Sequence, residues 1–406
     1  MDLKNIDPLS LDDTNDENKD DSKDQEKSVS LWEHEALSQI PIKVFRGHTD
    51  AVSNCHFCFD DTRVLTSSHD KTATLWDSDT GTSLQVFKGV HKSAITECTL
   101  VPKKNRLITA SLDKTLVAWD LETGKIIWTA PHGGFVTSCS ATGDGKLVAS
   151  ASDQENAIYL TNTDTGERVF YLKGHHKSTI TQCRFDPQGQ RVASVSNDTT
   201  IKLWDLVSNK TTLAINSNHT NVISSCSFNH NGHLLCSASW DKTLQLWDVY
   251  QGTFRSCGGA MLSRGHEGSI SSCVFSNDSS LLVSGAFDRT VAVWDMAAFC
   301  RTLVLKGHLD WVTDVSISAD KKWVASASKD STVRLWNIEN SEQIPEVIER
   351  RKAQGMGFHV LKCEECGKPF SLSRVETSDL ITKCVFCRLK TPTRYHPQPP
   401  PLLSIN

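Results

Sequence analysis

Short apolar runs separated by polar, turn-forming residues recur along the chain from about residue 41 to residue 340. Segments such as RVLTSS, RVASVS and WVASAS are typical of short β-strands, and FDPQGQ, FNHNGH and ATGDGK are typical of turns. Glycine also stands five residues after a repeated Trp position, where a hairpin turn needs a positive φ angle, at Gly81, Gly124, Gly166 and Gly252. The pattern predicts an all-β region of many short strands.

These strands belong to a repeat that reads GH, about 28 residues and then WD, with an Asp shortly before the closing Trp. Successive His positions lie 41 to 47 residues apart, which predicts seven similar units. In the third unit, Thr161 stands where the other units have Trp. The repeated residues are His48, His91, His132, His175, His219, His266 and His308; Asp70, Asp113, Asp153, Asp198, Asp241, Asp288 and Asp330; and Trp76, Trp119, Trp204, Trp247, Trp294 and Trp336.

The repeat resembles that of the WD-repeat β-propeller family over about residues 41–340. The resemblance implies seven blades of four antiparallel strands around a channel. The predicted repeats span about 47–77, 89–120, 131–162, 174–205, 218–248, 265–295 and 307–337. The segment Ile42–Phe45 has no blade of its own and the seventh unit has no clear fourth strand, so we expect these two to pair and close the ring.

His, Asp and Ser or Thr occur together in each unit, and these are the residue types of a hydrolase triad. The family resemblance implies instead a structural relay, in which His, Asp, a Ser or Thr of the second strand and the Trp indole N–H hydrogen-bond to one another. A catalytic triad is needed only once, whereas this set recurs in nearly every unit. We therefore predict the relay from the His, Asp and Trp named above in every unit except the third, and we expect no enzyme activity.

Cysteines form a second series. Five lie seven residues after the repeated His, Cys183 lies eight after it, and the seventh unit has Val315; the five are Cys55, Cys98, Cys139, Cys226 and Cys273. A metal or redox ring is one hypothesis, but a small buried residue on the crowded innermost strand is favoured. Disulfides between equivalent positions are not expected, because neighbouring sheets pack about 10 Å apart. No partner spacing connects the cysteines at Cys58, Cys236, Cys257 and Cys300.

The resemblance also implies that protein or peptide partners bind on the face around the channel mouth. Two positions in each unit are expected to point outward there. The residue before the turn Asp is His69, Leu112, Ser152, Asn197, Trp240, Phe287 or Lys329, and the residue three after the His is Ala51, Ala94, Phe135, Thr179 (one later), Val222, Ser269 or Trp311. We predict a partner-binding rim from Trp240, Phe287, Trp311, Lys329 and Phe135. The alternative is that these rings pack into the loops of their own blades.

Composition and charge narrow the class of protein. The chain has 406 residues, 38% of them apolar and 22% charged, which is typical of a soluble globular protein. It has no secretory features and no long apolar run, so we expect an intracellular location, cytoplasmic or nuclear or both. Residues 1–30 carry ten acids and four lysines, so we predict that residues 1–40 are a disordered acidic tail. Without a basic stripe, the propeller is not expected to bind nucleic acid.

The segment CEECGKPFSLSRVETSDLITKCVFC contains two C-x-x-C pairs seventeen residues apart, at Cys363, Cys366, Cys384 and Cys387. Two such pairs at this spacing favour a structural Zn²⁺ site with four thiolate ligands over free thiols or a redox pair. We predict a linker at 341–361, a small zinc-ribbon or zinc-knuckle module at 362–390 and a proline-rich tail at 391–406.

The favoured function is a non-enzymatic scaffold or adaptor, with the propeller rim binding proteins and the zinc module extending that surface. An alternative is an RNA- or ribonucleoprotein-associated factor, because residues 343–406 carry ten basic and six acidic residues. A ubiquitin-ligase substrate receptor is disfavoured, because such receptors often carry W-D-x-R. None of the residues three after the Trp is Arg: they are Asp79, Glu122, Val207, Tyr250, Ala297 and Glu339.

Overall fold

The computed structural model describes residues 40–252, 259–262 and 265–341, and two strands at 359–362 and 369–372. The predicted acidic tail, the four zinc-ligand cysteines and the proline-rich tail lie outside these residues, apart from Ile40. Among the described residues, no helix is long and apolar enough to cross a membrane.

Twenty-eight strands form seven four-stranded antiparallel sheets, the blades. Blade one contains β2 (Val52–Cys58), β3 (Arg63–Ser68), β4 (Ala73–Asp77) and β5 (Ser83–Phe87). Blade two contains β6 (Ile95–Val101), β7 (Arg106–Ser111), β8 (Thr115–Asp120) and β9 (Ile126–Pro131). Blade three contains β10 (Val136–Ala141), β11 (Leu147–Ser152), β12 (Ala157–Asn162) and β13 (Arg168–Leu172), with a short 3-10 helix at Gln154–Asn156.

The other four blades repeat this order. Blade four contains β14 (Ile180–Phe185), β15 (Arg191–Ser196), β16 (Thr200–Asp205) and β17 (Lys210–Asn216). Blade five contains β18 (Ile223–Phe228), β19 (Leu234–Ser239), β20 (Leu244–Asp248) and β21 (Ala260–Leu262). Blade six contains β22 (Ile270–Phe275), β23 (Leu281–Ala286), β24 (Thr290–Asp295) and β25 (Cys300–Lys306), and blade seven contains β26 (Val312–Ile317), β27 (Trp323–Ser328), β28 (Thr332–Asn337) and β1 (Ile42–Arg46).

The strand β1 closes the ring. It pairs with β28, with Ile42 opposite Trp336 and Phe45 opposite Val333, which confirms the predicted pairing of the two chain segments. The Phe45 ring then stacks on Trp76 of blade one, with 5.6 Å between the ring centroids. Closure therefore joins the start of the propeller to blade seven by backbone hydrogen bonds, and aromatic packing joins blade seven to blade one.

The core lies between neighbouring blades, because both faces of each middle strand are covered. Between blades one and two, for example, Leu65 and Phe87 pack with Ile95, Leu107 and Trp119, and all five side chains are buried. One blade cannot cover both of its own faces, so each sheet depends on its neighbours for burial of apolar surface.

Innermost strands are tied to one another by a ring of hydroxyl groups. Each innermost strand has a β-bulge, and the bulged residue is always Ser or Thr. Its hydroxyl donates to a backbone carbonyl of the next blade at 2.5 to 2.8 Å. The seven donors are Ser53, Thr96, Thr137, Thr181, Ser224, Ser271 and Thr313. The ring closes where Thr313 of blade seven donates to Val52 of blade one.

In five of the seven blades, the next residue of the innermost strand makes a second contact with the neighbouring blade. There the side chain accepts a hydrogen bond from the backbone N–H of a cysteine in the next blade. The pairs, with the donor first, are Cys139 and Glu97, Cys183 and Ser138, Cys226 and Gln182, Cys273 and Ser225, and Cys55 and Asp314. The six cysteines of the predicted series are free thiols that are no more than 4% exposed. This confirms the prediction of a small buried residue at the crowded axis.

Two further strands, β29 (His359–Lys362) and β30 (Pro369–Leu372), form an antiparallel hairpin in which Lys362 lies opposite Pro369. The residues that connect them, 363–368, have the sequence CEECGK. The first C-x-x-C pair therefore lies in the sequence between these two strands, outside the described residues.

Candidate partner-binding rim

Five blades contain the full relay of His, Asp, Ser or Thr, and Trp. The His Nδ1 lies 2.8 to 3.2 Å from an Asp carboxylate, the His Nε2 lies 2.7 to 2.8 Å from a hydroxyl, and the Trp Nε1 donates to that hydroxyl at 2.8 to 2.9 Å. The histidines of these five blades are His48, His91, His219, His266 and His308. The hydroxyls are buried, with Thr66, Thr109 and Ser237 fully inaccessible. The relay therefore joins turns and strands and presents no accessible nucleophile.

Blade four corrects one prediction. The relay histidine is His176, which lies 2.8 Å from Ser194 and 3.2 Å from Asp198, so the assignment of His175 is wrong. The sequence GHH offers two adjacent histidines, and the second has the spacing to β14 that the other blades have. Burial opposes ionisation of Asp198, but hydrogen bonds from Thr200 and Lys177 and the charge of His176 lower its pKa to about 2.

The two other residues that were predicted for the relay of blade four, His175 and Trp204, take no part in it. His175 is buried, its Nε2 has no hydrogen-bond partner among the described residues, and its ring lies edge-on to His176. Trp204 was predicted to donate to the relay, but its Nε1 also has no partner in the described chain. Its indole stacks on Phe170, with ring centroids 4.8 Å apart.

Blade three departs further from the pattern. Thr161 pairs with Val148 where Trp76 pairs with Val64, so it does occupy the Trp position. The loop after β11 shifts the position of the Asp. The Asp153 N–H donates to the Phe135 carbonyl, and in the other blades the equivalent hydrogen bond is donated by the residue before the turn Asp. Asp153, and not Ser152, therefore stands at the predicted outward position. Ser152 is fully buried, and its hydroxyl has no partner in the described part of the chain.

The space left by the missing indole of blade three is filled from blade two. Trp128 of β9 packs in the cluster that includes Val136 and Val148, and its Nε1 donates to the Thr163 carbonyl at 2.9 Å. His132 keeps its contact with Ser150 at 2.7 Å, but its Nδ1 faces the Ala130 carbonyl instead of a carboxylate. Burial, the dominant effect, lowers the pKa of His132 to about 4.

The two sets of predicted outward positions lie side by side. In six blades the residue before the turn Asp donates its backbone N–H to the carbonyl of the other predicted position, at 2.8 to 3.0 Å. The pairs include Trp240 with Val222, Phe287 with Ser269, and Lys329 with Trp311. These bonds hold the two predicted positions together at one end of each of the six blades, and we call this end the rim.

Three aromatic rings form a strip along this rim across blades five, six and seven. Trp240 and Phe287 have ring centroids 6.1 Å apart, and Phe287 stacks on Trp311 at 4.7 Å. The Lys329 ammonium lies 4.5 Å from the Trp311 ring centroid, as in a cation–π contact. Trp240 is 41% exposed and Trp311 is 45% exposed, so the rings pack on one another while a large part of their surface faces solvent. We call Trp240, Phe287, Trp311 and Lys329 the aromatic strip.

Two other residues qualify the prediction of the rim. Phe135 is 45% exposed in blade three and lies under the Lys114 ammonium, but none of the described ring contacts joins it to the aromatic strip. Leu309, which sequence reasoning missed, is 71% exposed and follows the relay residue His308 in blade seven. The sequence contained a signal for Leu309, because the residues that follow the relay histidine in blades one, two and six are polar, at Thr49, Lys92 and Glu267. Leu309 lies at the same end of blade seven as Lys329 and Trp311.

No group of three or more His, Cys, Asp or Glu side chains in the described residues is arranged to hold a metal ion.

Comparison with known proteins supports the architecture. Six segments match the family described as WD domain, G-beta repeat, at residues 39–77, 81–120, 166–205, 210–248, 259–295 and 299–337. The matched segments leave out residues 121–165, which contain the first three strands of blade three, where the relay and the Trp are altered.

Individual relatives point to the same family. WD repeat-containing protein 88 of Homo sapiens is 48% identical over 392 residues, which is 96% of this chain and 83% of the relative. Serine-threonine kinase receptor-associated protein of Mus musculus is 25% identical over 187 residues, which is 46% of this chain and 51% of that protein. Guanine nucleotide-binding protein subunit beta of Oryza sativa subsp. japonica is 25% identical over 169 residues, which is 41% of this chain and 35% of that protein.

Proposed function

Because the chain belongs to the WD repeat family, whose propellers generally act as protein-interaction scaffolds, we propose that it is a non-enzymatic scaffold that binds a protein partner through the aromatic strip. The observation that carries the proposal is the stack of Trp240, Phe287 and Trp311 across three blades. Aromatic side chains in such clusters are the residues that most often dominate the energy of protein interfaces.

The geometry favours a peptide or loop with apolar side chains and an acidic group. The strip offers ring faces for apolar contact, and Leu309 extends the apolar surface in blade seven. Lys329 is exposed beside the ring of Trp311, where it supplies a positive charge. Mutual stacking holds the rings in place before a partner arrives, which lowers the conformational entropy that binding costs.

Replacing Trp240, Phe287 and Trp311 together by alanine should reduce recovery of a bound partner about tenfold or more, because truncating buried aromatic anchors costs more than 1 kcal/mol each. The measurement is affinity purification of the intact chain and of the triple variant, with the copurifying proteins quantified. Thermal melting of both proteins checks that the variant remains folded.

The matched control is Tyr250→Ala with Phe299→Ala. Both rings are exposed, at 68% and 55%, and they follow β20 and β24, whereas Trp240 and Phe287 precede those strands. They therefore lie at the opposite ends of blades five and six. The control variant should retain the partners, and equal recovery by all three proteins would place binding away from the strip.

We propose in addition that Cys363, Cys366, Cys384 and Cys387 hold a structural Zn²⁺ ion. These residues lie outside the described part of the chain, but β29 and β30 bracket the first pair in a hairpin. A short hairpin connection that contains C-x-x-C brings two thiolates to one side of a metal, and the second pair would complete a tetrahedron. The Zn²⁺ would then supply the folding energy that so short a segment lacks.

The intact chain should contain about one Zn²⁺ ion when purified, since four thiolates close a tetrahedral site. Cys384→Ser with Cys387→Ser should abolish that content, whereas Cys257→Ser, which belongs to no C-x-x-C pair, should not change it. Elemental analysis measures the metal, and the charge-transfer bands of substituted Co²⁺ report on thiolate ligands. A metal-free chain, or a metal content that survives loss of Cys384 and Cys387, would refute the proposal.

A further inference from the structure

Blade three has a polar cavity at the same end as the predicted rim. The cavity has a volume of about 390 Å³ and is open to solvent. It is lined by Gly133, which follows His132, by Gln154 and Glu155 of the 3-10 helix, and by side chains of β12 and β13. The side chains that face it from these strands and the following residue include Tyr159, Tyr171, Arg168 and Lys173.

Blade one has a cavity at the equivalent place, which shows what is special about blade three. Tyr159 pairs with Tyr171 in blade three, and Thr74 pairs with Val86 at the same positions of blade one. The blade-one cavity is smaller, at about 230 Å³, and its lining also includes two basic residues, Arg46 and Lys88, and one acid, Asp70. Two tyrosines and an arginine thus replace small and apolar residues in blade three.

The guanidinium of Arg168 has no carboxylate partner among the described residues. It lies 4.5 Å from the ring centroid of Tyr159 and 5.5 Å from that of Tyr171, and its one described hydrogen bond, to the Pro131 carbonyl, is long at 3.4 Å. Stacking on the rings fixes the plane of the guanidinium while most of its N–H groups remain available.

The hydroxyl of Tyr159 also lacks a partner in the described chain. The side chain is buried, with only 3% of the residue exposed, yet it lines the cavity. A Cβ atom at Gly133 would lie 3.8 Å from this hydroxyl, so the glycine leaves the space in front of it open. The hydroxyl therefore faces the open cavity, where a ligand or water can form a hydrogen bond with it.

The charge of the cavity is positive. Lys173 and Arg168 face one acid, Glu155, whose carboxylate lies 3.0 Å from the Lys173 ammonium. His132, next to Tyr159 with ring centroids 4.4 Å apart, adds no charge near neutral pH because burial lowers its pKa. The cavity therefore has one more positive than negative group.

We propose that this cavity binds an oxyanion, the phosphate or carboxylate at the end of a peptide side chain, through Arg168, Lys173 and the Tyr159 hydroxyl. A guanidinium, an ammonium and a phenol are the donors that charge-assisted hydrogen bonds to such a group require. This site lies in blade three and is independent of the aromatic strip of blades five to seven.

The test uses phenyl phosphate and benzoate as probes with the intact chain, because their aromatic protons report binding in ligand-observed saturation-transfer NMR. Arg168→Gln with Lys173→Gln should weaken binding about tenfold or more, since two charge-assisted hydrogen bonds are lost. Tyr159→Phe, which removes only the hydroxyl, should weaken it about threefold. Lys88→Gln, at the blade-one cavity, should leave binding unchanged.

The two probes distinguish the sources of the anion. Tighter binding of phenyl phosphate supports a phosphorylated side chain, and tighter binding of benzoate supports a carboxylate. Failure of both probes to bind at millimolar concentration overturns the proposal. So does equal binding by the wild-type chain and the Arg168→Gln, Lys173→Gln variant, or an equal loss caused by Lys88→Gln.

Discussion

Asp314→Ala is expected to lower the free energy of unfolding by about 3 kcal/mol, because buried donors left without a partner cost about 1–3 kcal/mol each. The carboxylate is 6% exposed and accepts three hydrogen bonds: from Asn54 Nδ2 at 2.8 Å, from the Cys55 N–H at 3.0 Å and from the Ser272 hydroxyl at 2.6 Å. These donors belong to blades one and six, so one side chain of blade seven holds both of its neighbours.

The expected loss is smaller than three separate bonds would suggest. Burial raises the pKa of Asp314 in spite of its donors, so removing the carboxylate also removes the cost of burying its charge. For a domain of this size, about 3 kcal/mol corresponds to a fall in Tm of roughly 5 °C or more. Thermal and urea unfolding of the wild-type chain and the variant measure the difference.

Asp314→Asn is the matched control for this prediction. The amide keeps the shape of the side chain and one carbonyl acceptor, and its NH₂ group can donate to Ser272, so the loss should be about 1 kcal/mol. Equal stability of the wild-type chain and Asp314→Ala would show that the inter-blade ring adds no stability where the propeller closes.

The repeat determines much of the propeller because its signals are periodic. Seven units and the closing pair β1 and β28 follow from residues at fixed spacing, and the relay of five blades follows from the family resemblance that those residues carry. The error at His175 arose because His175 directly follows Gly174 and so fits the GH signal, whereas the relay histidine is the next residue, His176. The innermost strand could have decided between them, because Thr181 and Cys183 lie five and seven residues after His176, as Ser53 and Cys55 do after His48.

Side-chain contacts between blades could not be predicted in the same way. Ser and Thr are common in strands, so the hydroxyl ring becomes visible only once the bulges place Ser53 or Thr313 beside the next carbonyl. The stack of Phe287 on Trp311 depends on ring orientations that neighbouring blades set together. The blade-three cavity depends on an inserted loop that moves Asp153 to the rim, and no repeat specifies such a shift.

Acid should destabilise the propeller well before its carboxylates are protonated. Burial, the dominant cause in both cases, lowers the pKa of His132 to about 4 and that of His175 to about 3, from an ordinary value of 6.5. Between pH 6.5 and 4 the unfolded chain therefore binds protons that the folded chain does not. The contribution of these two histidines to stability is fully present above their pKa in the unfolded chain, and it is lost as the pH falls below that value.

These two groups together should cost about 3–4 kcal/mol between pH 7 and pH 5, since each proton bound only by the unfolded state contributes about 1.4 kcal/mol per pH unit. Burial also lowers the pKa of the relay histidines His91, His219 and His308, which adds to the loss in the same direction. Urea unfolding at a series of pH values from 7 to 5 gives the slope.

The variant His132→Gln separates the titration of a buried histidine from a general effect of acid. Glutamine can keep a hydrogen bond to Ser150 but cannot take up a proton, so the loss between pH 7 and pH 5 should shrink by about 2 kcal/mol. His230 is exposed, and its imidazole meets water in both the folded and the unfolded chain, so His230→Gln should leave the slope unchanged. If the free energy of unfolding of both variants changes with pH as it does in the wild-type chain, the buried imidazole of His132 does not account for the acid sensitivity.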